Sequence, residues 1–489
     1  MSSPSGTAPR DRSTESTAST ASTASAASAP SAPSAESPAS GPTGPVPRLG
    51  LADTARLAAR VLAPTVAQGA IARRPRVVGL AERLDLDARA VATVQDLHRR
   101  YGDGPVRLPL PVRRFAFVLS PRDVHRVLGE SPEPFALANR EKQGALGQFQ
   151  PHGVLVSHGR ERAQRRAVNE SVLDTPNPVH RLAGDVVARV REEARGVAEE
   201  AARSGHLDWA TYSTGWRRAF RRVVLGDAAR DDEDLQGDLD ALRYRANWSY
   251  LLPRSRTRRD RVRRRLEQYL ERAEPGSLAG LLAQTVGGDS LVDPVDQIPQ
   301  WLFAFDPAGM AGIRALALLA ADADELARVR GEMPADLDTP QELRRLRAAV
   351  LESVRLWPTT PMILRETTRD VAWPTGRLAA DTAVLVYAPF FHRDDEALAV
   401  AHRFTPELWT GEGHDGTAGD AATDWPLVPF SEGPGVCPGQ NLVLLTTSTF
   451  LATLLEHHDH ALEHPASLDP DRVPGVVSPF RVRFRTSPR

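Results

Sequence analysis

Cys437 is the only cysteine in a chain of 489 residues. A single thiol rules out an internal disulfide framework and any zinc site built from several thiolates. A reducing, intracellular compartment fits that usage. Whatever Cys437 does, it does alone, as a nucleophile, a redox sensor or an iron ligand. Its neighbours narrow the choice. The segment Pro429-Phe-Ser-Glu-Gly-Pro-Gly-Val-Cys-Pro-Gly-Gln440 has the pattern F-x-x-G-x-x-x-C-x-G and runs into an apolar helix. Gly433, Gly435 and Gly439 permit tight or left-handed turns that aim amide N–H groups at one sulfur. The helix that begins near Gly439 brings its positive end close to the same atom. Together these features predict a lowered thiol pKa and a held thiolate. Phe430 supplies an aromatic wall. A thiolate held by N–H donors is what a haem iron ligand needs; the bland alternative is a buried thiol in a glycine-rich loop.

Charge and composition exclude other classes. The formal net charge of −1 argues against a nucleic-acid binder, which normally shows a basic excess or a basic stripe. Apolar residues make up 41% of the chain, enough for a sizeable core. No continuous run of about 18 apolar residues is present, so no spanning helix is expected. The N-terminus lacks the pattern of a secretory signal, which makes a cytoplasmic location the expectation. Residues 1–48 are mostly Ser, Ala, Thr, Pro and Gly with a few charged residues, and Met1 and Val46 are the only sizeable apolar side chains. Such a stretch buries too little to fold and is expected to be a disordered tail, with a plastid-type transit peptide as the alternative. Residues 49–489 are expected to form one domain.

Periodicity makes that domain mainly α with a small β portion. An amphipathic stripe starts at Leu51, and Arg- and Ala-rich helices fill 158–285. The basic run Arg254–Arg265 reads as a solvated helix face or, alternatively, as a docking surface for an acidic partner or lipid headgroups. A long apolar helical stretch covers 296–332, with a break expected near Asp306-Pro307. Further helices are expected at 340–356 and 440–456. Val106–Leu110, Phe115–Leu119, Arg369–Trp373, Thr382–Tyr387 and Phe480–Phe484 read as strands.

With these motifs in place, the chain from about residue 50 onward resembles the cytochrome P450 family. Glu352-Ser-Val-Arg355 matches that family's E-x-x-R; three residues apart, the two side chains share a helix face. The resemblance implies that Glu352 and Arg355 brace the chain before the cysteine loop. It also implies a haem b cofactor held by Cys437 as axial iron ligand, with Phe430, Gly433 and Gly439 shaping the loop. Gly159-Arg-Glu-Arg-Ala-Gln-Arg-Arg166 resembles the family's C helix, so Arg162 and Arg166 are expected at the haem propionates, as is Arg365. Guanidinium forks suit carboxylates. The chain departs from the family in three places. Gly435 stands where an Arg or His is usual, and Leu408 replaces the Arg of the meander, with Arg403 or His402 as candidate substitutes. In the central helix, Pro307 and Ala308 occupy the positions of the family's acid and threonine, leaving Asp306 as the candidate proton relay.

The function implied is a haem-thiolate monooxygenase that inserts one oxygen atom of O₂ into a small hydrophobic substrate, with natural-product tailoring as its expected role. Only about fifty residues follow Cys437 and no flavin fingerprint is present, so a separate ferredoxin or flavodoxin with its reductase is the expected electron source. A peroxide-driven oxidant and a non-catalytic haem-thiolate sensor or ligand carrier are the alternatives. The resemblance places Phe149, His152, Phe303, Met362, Ile363 and Val477 at the substrate pocket.

Overall fold

The computed structural model describes residues 44–286, 292–411 and 425–489. Of the expected tail, residues 1–43 lie outside the described residues. Residues 44–48 are a correction: they are part of the folded domain. Pro45 bridges to Arg377, Arg48 bridges to Arg107, and Val46 is fully buried. One buried valine and two strand bridges are enough to dock a segment whose composition alone reads as tail.

Helices dominate. In the Trp209–Leu225 helix, Asp208 caps the start by accepting a hydrogen bond from the Thr211 N–H at 3.0 Å. Its buried residues Tyr212, Trp216, Ala219, Phe220 and Val223 recur at helical spacing and form one stripe. That stripe packs on the central helix, Ile298–Ala321. Close approach requires small residues there. A Cβ on Gly309 would lie 2.6 Å from the Trp216 ring, and one on Gly312 would lie 2.3 Å from the Tyr212 hydroxyl.

The central helix corrects the expectation of a break at Asp306-Pro307. It runs through Pro307 unbroken and ends at Asp322, which caps the following Ala323–Glu332 helix through the Glu325 N–H at 2.9 Å. Pro307 cannot donate to the Phe303 carbonyl. Packing of the flanking turns holds the helix instead, and the Trp216 indole donates to the Phe305 carbonyl at 2.7 Å. By length and composition this helix could cross a bilayer, but most of it is buried in the core.

The largest sheet has the strand order Pro105–Leu108, Phe115–Val118, Ala383–Tyr387, Met362–Thr367, Phe135–Ala136, with only the second and third parallel. All five residues of Ala383–Tyr387 are buried, as a central strand covered on both faces requires. A three-stranded sheet joins His206–Asp208, Arg483–Pro488 and His458–His464, and Val371–Trp373 pairs with Gly376–Leu378. The C-terminal strand expected at 480–484 starts instead at Arg483, after a turn of 3₁₀ helix at Pro479–Arg481. The basic run lies on the Arg256–Arg272 helix, where Arg258 and Arg261 pair with Asp238 and Arg265 pairs with Asp232. These arginines tie two neighbouring helices together.

Candidate active site

The cysteine loop is fixed by its own backbone. The Cys437 N–H donates to the Phe430 carbonyl at 2.9 Å, and the Val436 N–H donates to the Gly433 carbonyl at 3.0 Å. Gly433 has φ +63°, and a Cβ there would lie 2.6 Å from the Leu128 carbonyl oxygen. Both the backbone and the space therefore demand glycine. Gly439 caps the Gln440–Glu456 helix, and its N–H points at the Cys437 sulfur. The expected lowering of the thiol pKa is corrected by burial. Desolvation pushes the Cys437 thiol up, and the Gly439 amide and the nearby Arg166 only partly oppose it. The loop presents the sulfur; a bound cation is what would keep it ionised.

Three cations converge beside this loop. Arg162 is buried on the Gly159–Val172 helix and donates to the Pro434 carbonyl at 3.0 Å. Arg365 is buried on the Met362–Thr367 strand and donates to the Ser131 hydroxyl at 2.9 Å. Lys142, on the Arg140–Leu146 helix, donates to the Leu137 and Leu364 carbonyls at 2.8 and 3.1 Å. Among the described residues none of the three has a carboxylate within ion-pair distance. Burial holds all three pKa values down, Lys142 far down and Arg365 to about 10; repulsion from Arg365 and Arg162 adds to it at Lys142, from Arg162 at Arg365, and from Arg166 at Arg162. The Arg162 Nε is buried with no partner. An uncompensated buried cation cluster is costly unless it receives an anion. This donor set fits the two propionates of a haem whose iron meets Cys437.

Lys142, the sole lysine of the chain, was not legible as a site residue, because no spacing links it to the loop. Arg166 reaches the loop too, donating to the Val436 carbonyl at 2.8 Å while its Nε bonds Glu170 at 2.6 Å. Gly435 is explained by Arg365: a Cβ at 435 would lie 2.6 Å from its Nη2 and 2.8 Å from Leu137.

Glu352 and Arg355 are fully buried and joined at 2.5 and 2.8 Å. Arg355 also donates to the carbonyls of His392, Val400, Ala401 and Arg403. Neither Arg403 nor His402 replaces the missing meander arginine through its side chain. Arg403 turns outward to Asp471 and His402 bonds Arg393. Instead the Trp409 indole and the Thr405 N–H each donate to Glu352 at 2.9 Å.

On the central helix, Phe303, Pro307 and Met310 lie on one face and are only partly buried, while most of the surrounding helix is sealed. Ala308 is buried beside them and carries no hydroxyl. Asp306 is only partly exposed and is bound to Arg243 of the Glu233–Ala246 helix. Burial pushes its carboxyl above the ordinary range despite that partner. Phe149 is buried against Phe303, with ring centroids 5.9 Å apart. Met362 and Ile363 are half-buried at the start of their strand. Val477 is fully buried, and its carbonyl accepts from Arg314 at 2.8 Å. His152 is a correction to the pocket list. Its side chain is 56% exposed and 3.9 Å from Asp296, because the turn between the buried Gln150 and Gly153 points it outward.

Comparison with known proteins agrees with this geometry. The sequence profile of the family described as Cytochrome P450 matches residues 320–480. The chain is 31% identical over 200 residues to ferruginol synthase from Salvia pomifera, covering 40% of this chain and 41% of that protein. It is 29% identical over 154 residues to cytochrome P450 71D18 from Mentha gracilis, covering 31% of this chain and 30% of that one. These alignments span about two-fifths or less of the relatives' own length. Among solved structures, retinoic-acid-bound cyanobacterial CYP120A1 matches 81% of this chain and 94% of its own, with TM-score 0.65 and 16% identity. A six-coordinated cytochrome P450 from Thermus thermophilus matches 82% and 98%, with TM-score 0.57 and 18% identity. Those two likenesses concern the fold alone. The cytochrome P450 profile matches this chain over residues 320–480, and the fold, the cysteine loop and the buried Glu352–Arg355 brace agree with that match.

Proposed function

We propose that the protein is a haem-thiolate monooxygenase acting on a hydrophobic substrate in secondary metabolism. The observation that carries this reading is the Cys437 sulfur on its glycine-shaped loop, beside buried cations that lack a carboxylate. When bound, haem b would supply O₂ activation, with the balance R–H + O₂ + 2e⁻ + 2H⁺ → R–OH + H₂O. Cys437 would hold the haem iron through its sulfur, and Phe430 would shield that sulfur. Lys142, Arg162 and Arg365 would hold the propionates, with Arg166 adding positive charge beside the loop. Phe149, Phe303, Met362, Ile363 and Val477 would exclude water and orient the substrate.

Asp306 is the one carboxylate on the partly open stretch of the central helix. It would deliver protons once released from Arg243, since Ala308 cannot. Electrons would come from a separate ferredoxin or flavodoxin with its reductase, in the cytoplasm. The plant relatives named as synthases support the metabolic role.

The direct test is the reduced CO spectrum of haem-loaded protein, followed by turnover with O₂ and a surrogate reductase. A red-shifted thiolate Soret band that is lost in Cys437→Ala, with product formed only when electrons are supplied, is the expected result. A folded, haem-loaded sample without that band overturns the assignment. A second reading rests on Ala308 and on the engagement of Asp306 by Arg243: a peroxide-driven oxidant. Turnover with hydrogen peroxide at the reductase-supported rate would select it.

A further inference from the structure

A cleft of about 480 Å³, its open mouth included, lies between the central helix, the 357–361 segment and the turn at 476–480. Its walls mix apolar residues, Met310, Trp357, Tyr387, Val476 and Phe480 among them, with the polar Thr65, Gln68, Asp87 and Thr359. Two arginines complete the polar part. Arg314 projects from the middle of the apolar central helix and is 6% exposed. Its Nε donates to the Val477 carbonyl at 2.8 Å and its Nη1 to the Trp357 carbonyl at 3.1 Å. Arg73 enters from the N-terminal side, and its Nη2 donates to the Thr359 carbonyl at 2.6 Å.

Most arginines of this chain that are buried to this degree either meet a carboxylate or close a loop by several carbonyl bonds. Among the described residues neither Arg73 nor Arg314 has a carboxylate within ion-pair distance; their hydrogen bonds run to backbone carbonyls, from Nη2 of Arg73 and from Nε and Nη1 of Arg314. Asp87 is the one acid in the cleft wall. Its hydrogen bond comes from the Gln68 amide at 3.1 Å, and burial raises its carboxyl pKa. Glu82, on the same side, is already bound to Arg481 and to the Ser478 N–H. Arg393 lies behind Asp87 and bonds the Val473 and Pro474 carbonyls. The balance inside the cleft is therefore positive. Burial, with Arg73 adding repulsion, brings the Arg314 pKa down to about 9. A guanidinium in that condition gains most from a carboxylate brought to it.

We propose that Arg73 and Arg314 bind the carboxylate of the substrate, so that the substrate class is an amphipathic carboxylic acid. This rests on the monooxygenase reading above. The cleft shares Met310 with the open face of the central helix, and it abuts Met362 through Pro361 and Val477 through Val476. A bound acid would anchor its head at the two guanidinium groups and lay its apolar body toward Phe303. One-point anchoring of this kind fixes which carbon reaches the reacting centre.

The test is a ferric spin-state titration of the haem-loaded full chain with dodecanoic acid, abietic acid and the methyl ester of each. The expected result is that at least one acid binds about tenfold tighter than its ester, the scale of one charge-assisted contact. Arg73→Gln should abolish the preference and Arg73→Lys should restore part of it. Arg314→Gln should act like Arg73→Gln if it folds; Arg73→Gln, at a half-buried loop position, keeps the test decisive if it does not. Equal binding of acid and ester, a preference that survives Arg73→Gln, or no binding of any acid overturns the proposal. So does a thermal stabilisation by acetate or phosphate alone, which would make the cleft a free-anion site. The reduced CO band of the same samples does not depend on Arg73, so loss of that band reports failure of the monooxygenase reading instead.

Discussion

Arg243 and Asp306 join two helices across the candidate active site, the arginine almost wholly buried and the aspartate on the open stretch of the central helix. Arg243 has a second acid, Asp240, at 3.2 Å and lies over the Phe303 ring at 5.5 Å. An aspartate held this way is positioned before it is reactive. It must part from Arg243 to pass a proton, and burial already favours its protonated form.

Asp306→Asn removes the acid and leaves Arg243 with only the more exposed Asp240. The expected cost is about 2–3 kcal/mol, below the full penalty for breaking a wholly buried pair because Asp306 keeps some exposure. Arg243→Met should cost a similar amount, and the double variant less than the sum of the two. Urea denaturation of the three variants checks this; strict additivity would show that the pair is uncoupled. Under O₂ turnover, Asp306→Asn should also enlarge the solvent isotope effect.

Trp409 has taken over an anchoring task at Glu352. Trp409→Phe keeps an aromatic ring, though a smaller one, and removes one of the donors to a buried carboxylate, an expected loss of about 1.5–3 kcal/mol. Restoring the family residue by Leu408→Arg should change stability little, since Glu352 already accepts from Arg355, Thr405 and Trp409. Thermal unfolding of the haem-loaded variants separates the two.

His392 makes the fold acid-sensitive. It is fully buried, its Nδ1 faces the Arg355 carbonyl at 3.2 Å, and its Nε2 accepts from the Val428 N–H at 3.0 Å. The Nε2 contact requires the neutral ring, and burial beside Arg355 takes its pKa down to about 3 although the hydrogen bond to the Arg355 carbonyl opposes the shift. The unfolded chain binds this proton near pH 6.5. Stability should therefore fall as pH drops from about 6.5 toward 3, because the unfolded state gains the proton first. His392→Gln should lower stability at neutral pH and flatten that acid limb. Denaturation midpoints between pH 7 and 4 report the slope.

Lys142 should matter to haem retention more than to folding. Lys142→Met removes a buried, acid-free ammonium, so the haem-free protein should be as stable or more stable. Haem transfer to apomyoglobin should nevertheless run about tenfold faster, the value of one charge-assisted contact. An unchanged transfer rate would remove Lys142 from the propionate site.

Gly433→Ala combines a left-handed backbone with a 2.6 Å approach to the Leu128 oxygen. A destabilisation well above 1 kcal/mol is expected, together with low haem content on expression. Wild-type haem loading in this variant would mean that the loop can relax.

The sequence by itself determined the parts that depend on local spacing. The cysteine loop, the Glu352–Arg355 pair on one helix turn, the helix after Gly439 and the strand at 383–387 are written in residues that sit close along the chain. Only the tertiary structure decided what meets across distance. Lys142 joins Arg162 and Arg365 through three separate elements, and Trp409 fills a gap that Leu408 seemed to leave. Asp306 is claimed by Arg243, 63 residues away. Pro307 is tolerated because Trp216 and Tyr212 support the helix from outside, and Val46 docks because a sheet edge happens to be there. The physical reason is common to all of these. Local rules fix backbone conformation, while the pairing of buried charges, like the thiol pKa of Cys437, is set by desolvation and by partners that exist only once the chain has packed.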